Sequence, residues 1–132
     1  MFKPLYIIWN DSNLLSIPII DEQHRGIVSA INSFHYLVMD GHGMDSIQPT
    51  LHALEQLTLL HFRTEEGLFA KTDFPGRTDH IQAHRNFFRQ MQAASREAVD
   101  SGDSKVMLDF LKKWWLGHIN LEDRKYLSHI TG

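Results

Sequence analysis

The chain has 132 residues, of which 42% are hydrophobic and 22% charged, and its formal net charge is -3. These values are typical of one globular domain, and the scattered lysines and arginines form no basic stripe that would indicate nucleic-acid binding. The absence of cysteine excludes disulfides, thiolate zinc sites and iron–sulfur clusters. No early apolar run is long enough for a signal sequence or for insertion into a membrane, so we expect a cytoplasmic protein. The unusual feature is the count of nine histidines, because histidine is the commonest metal-binding side chain.

The first part of the chain predicts an irregular arm followed by a helix. Residues 1–20 follow no sustained hydrophobic period, and we expect them to form an N-terminal arm that packs over the rest of the chain. Asp21 is the expected N-cap of the first helix. Its inner face is marked by residues at helical intervals, namely His24, Ile27, Val28, Ile31, Phe34 and Val38. The glycine-containing loop 40–43 should end this helix.

Three further helices are predicted. The second should begin near 45–49, with an inner face made of Leu54, Leu57, His61, Glu65 and Leu68. The third should be capped by Thr78, with an inner face made of His80, His84, Phe87, Met91 and Ala94. The fourth should run over 104–129. We therefore expect an all-α fold, an up-down-up-down antiparallel four-helix bundle over 21–131, which with its arm forms a single domain, 1–132.

Two residue pairs on these helices have the spacing of metal ligands. Glu65 follows His61 by one helical turn, and His84 follows His80 in the same way, so each pair shares one helix face. Such a pair alone is more often a surface or structural pair. Here both pairs continue an apolar stripe into the core, where ionisable groups are costly unless something pairs them. Together with His24, they predict a buried metal site.

The fourth helix presents a choice of carboxylate. Glu122 follows His118 by four residues, whereas Asp123 lies about 140° around an ideal helix from His118. The apolar pattern that precedes His118 continues as a core face only after a shift of one residue, and this shift favours Asp123. A π-bulge inserts such a residue and tends to occur at functional sites. We therefore predict a π-turn between His118 and Asp123, with Asp123 as the ligand.

These ligands match the needs of two iron ions. Two octahedral irons require about 12 ligand positions, of which the imidazoles fill about five, two bridging carboxylates about four and a solvent-derived oxygen bridge about two. The remaining position stays open for a small molecule such as dioxygen. Zinc is the alternative metal, but a tetrahedral zinc site needs only about four ligands. The predicted ligands are His24, His61, Glu65, His80, His84, His118 and Asp123.

Four motifs extend over nearly the whole chain. They are Asp21-Glu22-Gln23-His24, His61-Phe62-x-x-Glu65-Glu66, Phe74-Pro75-x4-His80-x3-His84 and Trp114-x3-His118-Ile119-x3-Asp123-x2-Tyr126. Together they resemble a bacterial-type hemerythrin domain. The resemblance implies two non-haem iron ions, Fe2+ or Fe3+, joined by an oxo or hydroxo bridge and by Glu65 and Asp123. One iron would take His80, His84 and His118, and the other His24 and His61.

The resemblance also implies a function. We expect a non-enzymatic protein that binds dioxygen reversibly for storage, delivery or carriage, with an oxygen-consuming enzyme or a signalling domain as a possible partner. An oxygen- or redox-sensing module that acts through a signalling partner or a larger native chain is the alternative, and a peroxide- or nitric-oxide-handling di-iron enzyme is the third. Ferritin-like di-iron proteins carry Glu-x-x-His pairs, and this chain has none.

The expected oxygen pocket contains an unusual aromatic residue. Trp114, Trp115 and Ile119 are the predicted lining residues, and Trp115 stands where relatives commonly carry leucine. Trp115 is either a core aromatic or a residue that narrows the pocket and alters oxygen affinity or autoxidation. A second departure is Ser16, where relatives often carry glycine, and we expect it to change only the arm locally. Glu66 should be solvated or lie behind the ligands.

Overall fold

Four α-helices form the bundle. The computed structural model describes residues 4–115, 117, 123–126 and 129. Its helices are α1 (Pro18–Met39), α2 (Met44–Phe69), α3 (Arg77–Ser101) and α4 (Lys105–Trp114). Each helix packs against the next along the chain, and α4 packs against α1. Short loops join them, which makes neighbours antiparallel. The described residues contain no β-strand, so the predicted all-α four-helix bundle is confirmed.

The interior consists of two apolar clusters with a layer of buried polar side chains between them. Along α1, Ile20 belongs to one cluster and Ile27 to the other, and His24 lies between the two. Along α2, Phe62 and Phe69 flank the polar layer in the same way. The polar side chains therefore lie deep in the bundle. No described helix is long and apolar enough to cross a membrane.

The N-terminal arm lies against the bundle, as the sequence predicts. Ile7 is buried, and its backbone N–H and C=O bind the Asn32 side chain on α1 at 2.8 Å each. A 3-10 turn, Asp11–Asn13, follows. Leu15 and Ile17 then enter the apolar cluster at one end of the bundle. The arm is thus held by two hydrogen bonds to Asn32 and by the buried side chains of Ile7, Leu15 and Ile17.

The start of α1 differs from the prediction. The helix begins at Pro18, because proline has the backbone angle that the first helical position requires. The N-cap predicted at Asp21 is therefore wrong. The carboxylate of Asp21 instead accepts the backbone N–H groups of Leu15 at 2.7 Å and Ser16 at 3.1 Å. Ser16 has a φ of 65°, in the left-handed region that favours glycine.

The starts of α2 and α3 also lack a side-chain cap. Both helices follow a glycine, Gly43 before α2 and Gly76 before α3. Because α3 begins at Arg77, Thr78 lies inside its first turn, and the cap predicted at Thr78 is wrong. Glycine is an acceptable N-cap residue, since it leaves the first N–H groups open to water.

The fourth helix changes its geometry midway. The fourth helix is predicted over 104–129 with a π-turn between His118 and Asp123. In the structure, α4 ends at Trp114, and Trp115 and Gly117 adopt π-helical geometry before that predicted turn. A 3-10 turn, Asp123–Tyr126, follows. The wider π turn rotates the residues that follow it relative to a regular helix. Asp123 and Tyr126 are both fully buried in this arrangement.

Candidate metal centre

Six of the seven predicted metal ligands lie in the described part of the chain, and all six are buried. They are His24 on α1, His61 and Glu65 on α2, His80 and His84 on α3, and Asp123 in the last 3-10 turn. Their side chains approach one another because each continues the inner face of its element. His118 and Ile119 lie outside the described residues, as does the turn between His118 and Asp123, so these predictions stay predictions.

The ligand atoms form two groups that Asp123 joins. One group is made of His24, His61 and Asp123, and the other of Glu65, His80 and His84; the ligand atoms within each lie within 4.8 Å of one another. Asp123 Oδ2 lies 2.9 Å from His24 Nε2 and 3.1 Å from His61 Nε2. Its other oxygen, Oδ1, lies 3.0 Å from His80 Nε2 in the second group.

Glu65 also joins the two groups. Its Oε1 lies 3.1 Å from His84 Nε2 and 3.1 Å from His61 Nε2. Its Oε2 is 3.7 Å from His80 Nε2, beyond hydrogen-bonding distance. Both carboxylates therefore contact histidines of both groups, which is the arrangement that two bridging carboxylates require.

The donor set fits a pair of metal ions. The close nitrogen–oxygen separations of 2.9–3.1 Å match the distance of roughly 3.0 Å between neighbouring ligands of an octahedral ion with bonds of about 2.1 Å. Glu65 Oε2 is buried and has no hydrogen bond among the described residues. A buried carboxylate oxygen without a partner is costly, and a cation would satisfy it.

The charges of this layer hold protons on two of the histidines. Burial lowers the pKa of His61, but the charge of Glu65 and the hydrogen bond to Asp123 outweigh it and raise the pKa to about 10. Burial also lowers the pKa of His80, but the hydrogen bond to Asp123 and the nearby charge of Glu65 outweigh it and raise the pKa to about 9. In return, despite burial, the histidines hold the pKa of Glu65 well below its usual range and lower that of Asp123. A metal ion would replace these protons.

Aromatic side chains surround the polar layer and keep water away from it. The ring of Phe62 stacks on His84 with centroids 3.9 Å apart, and Phe69 packs against His80 at 5.1 Å. Tyr126 is fully buried, and burial, together with the charges of Glu65 and Asp123, raises the pKa of its hydroxyl. It therefore stays a neutral phenol.

The two tryptophans of the predicted pocket lie in different places. Trp115 meets the ring of His24 at 5.7 Å with perpendicular planes, and Trp9 of the arm packs against Trp115 at 5.9 Å. Trp114 stacks on Phe87 at 4.1 Å and belongs to the packing between α3 and α4. Trp115 thus lies directly against a predicted ligand.

Two contacts lie behind the ligands: Glu66 was predicted to be solvated or to lie there, whereas Gln23 was not predicted. Gln23 Oε1 accepts the Nδ1–H of His61 at 3.1 Å, and Glu66 Oε2 accepts the Nδ1–H of His84 at 3.1 Å. Both leave the Nε2 atom of the histidine free to face the metal layer. Gln23 and Glu66 adjoin the ligands His24 and Glu65 in the sequence, which is the only signal that sequence carries for them.

Comparisons with known proteins agree with this geometry. The model of the Hemerythrin HHE cation binding domain family matches residues 15–130. The chain is 30% identical to a hemerythrin-like protein of Naegleria gruberi, over 89% of this chain and 88% of that protein. It is 25% identical to a bacteriohemerythrin of Stenotrophomonas maltophilia, over 94% and 81% of the two chains. A hemerythrin crystal structure superposes with a TM-score of 0.85 at 20% identity, over 98% of this chain and 100% of that one, a likeness of fold.

Proposed function

The chain belongs to the hemerythrin family, and from that premise we propose that it is a non-haem di-iron protein that binds dioxygen reversibly. The observation that carries the proposal is the buried layer in which two carboxylates each contact histidines of two groups. The seven ligands of the proposal are those predicted from the sequence, His118 included. Two ferrous ions would supply the electrons that dioxygen takes up on binding.

The protein side chains then have separate roles. His24 and His61 would hold one iron, His80 and His84 the other together with His118, while Glu65 and Asp123 bridge. The aromatic residues around this layer exclude water, which would otherwise promote irreversible oxidation. Trp115 lies against His24. His24 belongs to the iron with fewer histidine ligands, and the open position for dioxygen is expected on that iron.

Members of this family are generally oxygen-binding proteins rather than enzymes, and we propose the same for this chain. The histidine-rich ligand set favours this role, since neutral imidazoles stabilise high-valent iron less than carboxylates do. Its partner would be dioxygen itself, with an oxygen-consuming enzyme as recipient or a signalling domain. The cytoplasmic location stays a prediction.

Optical spectroscopy tests the proposal. Protein loaded with ferrous iron under argon should develop a visible absorption band when oxygen is added, lose it under vacuum and regain it on a second addition. His61→Ala should abolish the band. His52→Ala is the matched control, because His52 lies on the same helix with its side chain exposed, and this variant should behave as the wild type.

Two outcomes would contradict the proposal. Direct conversion to a ferric spectrum, with no adduct that vacuum removes, would exclude reversible binding and favour the sensing module or the peroxide- or nitric-oxide-handling enzyme. Protein that takes up no iron would contradict the ligand assignment itself.

A further inference from the structure

Two of the predicted ligands, His84 and His61, donate an Nδ1–H to partners that differ in charge. His84, in the group with Glu65, donates to the carboxylate of Glu66. His61, in the group with Asp123, donates to the amide of Gln23. The two distances are equal at 3.1 Å, so the contrast lies in charge rather than in geometry.

Glu66 places a negative charge behind one metal position. Its side chain is 37% exposed, on the wall of a surface cavity of about 330 Å3 between α2 and α3. The same cavity is lined by Phe62 and reaches His84. Glu66 therefore touches water on one side and a buried ligand on the other, which spares its carboxylate the cost of full burial.

Gln23 is fixed in the orientation that serves His61. Its Nε2 donates to Thr64 Oγ1 at 2.9 Å, and the Thr64 hydroxyl donates to Leu60 O at 3.0 Å. Because the amide nitrogen is used in this way, the Oε1 atom must face the His61 ring. A neutral acceptor is thus held there by a chain of three hydrogen bonds.

We propose that Glu66 and Gln23 are positioning residues that make the two metal positions unequal, so that the ion bound by His84 has the stronger preference for the ferric state. This inference rests on the proposed di-iron function. An imidazole that donates to a carboxylate is a stronger metal donor than one that donates to an amide, and the carboxylate adds a negative charge behind the ligand. Both effects favour Fe3+ over Fe2+ on the Glu66 side.

A redox titration of the iron-loaded protein tests the inference. In each step one Fe2+ becomes Fe3+, and a one-electron mediator such as ferricyanide takes the electron. Glu66→Gln keeps a hydrogen-bond acceptor and removes the charge, so it should raise the potential of one of the two steps. We expect a change of about tenfold in ferric preference, which corresponds to about 59 mV.

The reciprocal variant should act on the other step. Gln23→Glu should lower the potential of the remaining step, since the Thr64 hydroxyl can turn to donate to the new carboxylate. The double variant should move both steps in these opposite directions. Glu22→Gln is the matched control, because Glu22 is an exposed carboxylate beside Gln23, and it should leave both steps in place.

A second measurement separates positioning from structure. Glu66→Ala should weaken metal binding by about 10- to 100-fold, and Glu66→Gln should restore it. The inference is overturned if wild-type protein binds two irons but Glu66→Gln and Gln23→Glu leave both redox steps unchanged, or shift them no more than Glu22→Gln does. The proposed function would stand in that case. Wild-type protein that binds no iron would overturn both.

Discussion

At the scale of single residues, the metal-free site is a set of buried opposite charges, so the stability of the fold should depend on pH. The folded pKa values of about 10 for His61 and about 9 for His80 lie above the 6.5 of an unfolded chain. Their protonation therefore stabilises the fold fully below pH 6.5, and this contribution is lost as the pH rises through 9 and 10. The lowered pKa values of Glu65 and Asp123 act in the opposite way, since their contribution is lost in acid.

We therefore predict that the free energy of unfolding of the metal-free protein falls between pH 6.5 and about 10, as denaturant titrations at several pH values would show. The metal-loaded protein should not show this loss, because the ions replace the protons. Metal-free protein with level stability over this range would contradict the charge arrangement described for His61 and His80.

Trp115 is the residue whose role is most directly tested by substitution. Trp115→Leu removes the indole that contacts both the His24 ring and Trp9, and it leaves space beside a polar ligand. We predict faster autoxidation of the ferrous protein, measured from the appearance of the ferric spectrum in air. Phe34→Leu is the control, since Phe34 is fully buried on α1 but about 15 Å along the helix from His24. Equal rates in wild type and Trp115→Leu would remove Trp115 from the mechanism.

At the scale of elements, the turn before α1 stores backbone strain at one position. Ser16 has a φ of 65° and is exposed, while Asp21 holds its backbone N–H. The left-handed conformation costs a non-glycine residue about 1–2 kcal/mol. Glycine avoids this cost, but its greater conformational freedom in the unfolded chain offsets part of the benefit. We predict that Ser16→Gly raises the free energy of unfolding by about 0.5–1 kcal/mol, as urea titrations would measure.

The control for this substitution is Ser12→Gly in the preceding 3-10 turn. Ser12 lies in regular 3-10 geometry, and its backbone N–H binds Asn10 Oδ1 at 3.0 Å. Glycine should lower stability there, because it relieves no strain. If both variants lower the free energy of unfolding alike, the strain at Ser16 is not real.

The helices also show which structural features hydrophobic periodicity in the sequence can predict and which it cannot. His61 and Glu65 were predictable as inward-facing residues because an apolar stripe fixes the side of a helix on which they lie. The cap predicted at Asp21 failed because Pro18 begins the helix earlier, and short polar side chains serve turns as well as caps. The contact of Gln23 with His61 was not predictable, since it depends on how α1 and α2 are rotated against each other.

At the scale of the whole molecule, the candidate centre connects every part of the bundle. His24 comes from α1, two ligands from α2, two from α3, and Asp123 from the turn after α4. Metal binding would therefore join four segments that otherwise meet through a layer of buried charges. A ligand that binds only the folded state stabilises it by about 4 kcal/mol at roughly 1,000 times its Kd.

Metal removal should thus lower the melting temperature. We predict that Tm falls by about 10–15 °C when iron is removed by a chelator under reducing conditions, measured by circular dichroism. Re-addition of ferrous iron should restore the original Tm. An unchanged Tm would mean that the buried layer holds no tightly bound ion.

The most direct test of the account is an anaerobic titration of metal-free protein with ferrous iron, followed by dialysis and iron analysis. A two-metal centre should give an end point at two irons per chain. Glu65→Gln should reduce this value, because Glu65 contacts histidines of both groups, whereas Glu55→Gln on the same helix should keep it at two. An end point of one iron or none in the wild type would contradict the claim that these side chains form a single two-metal centre.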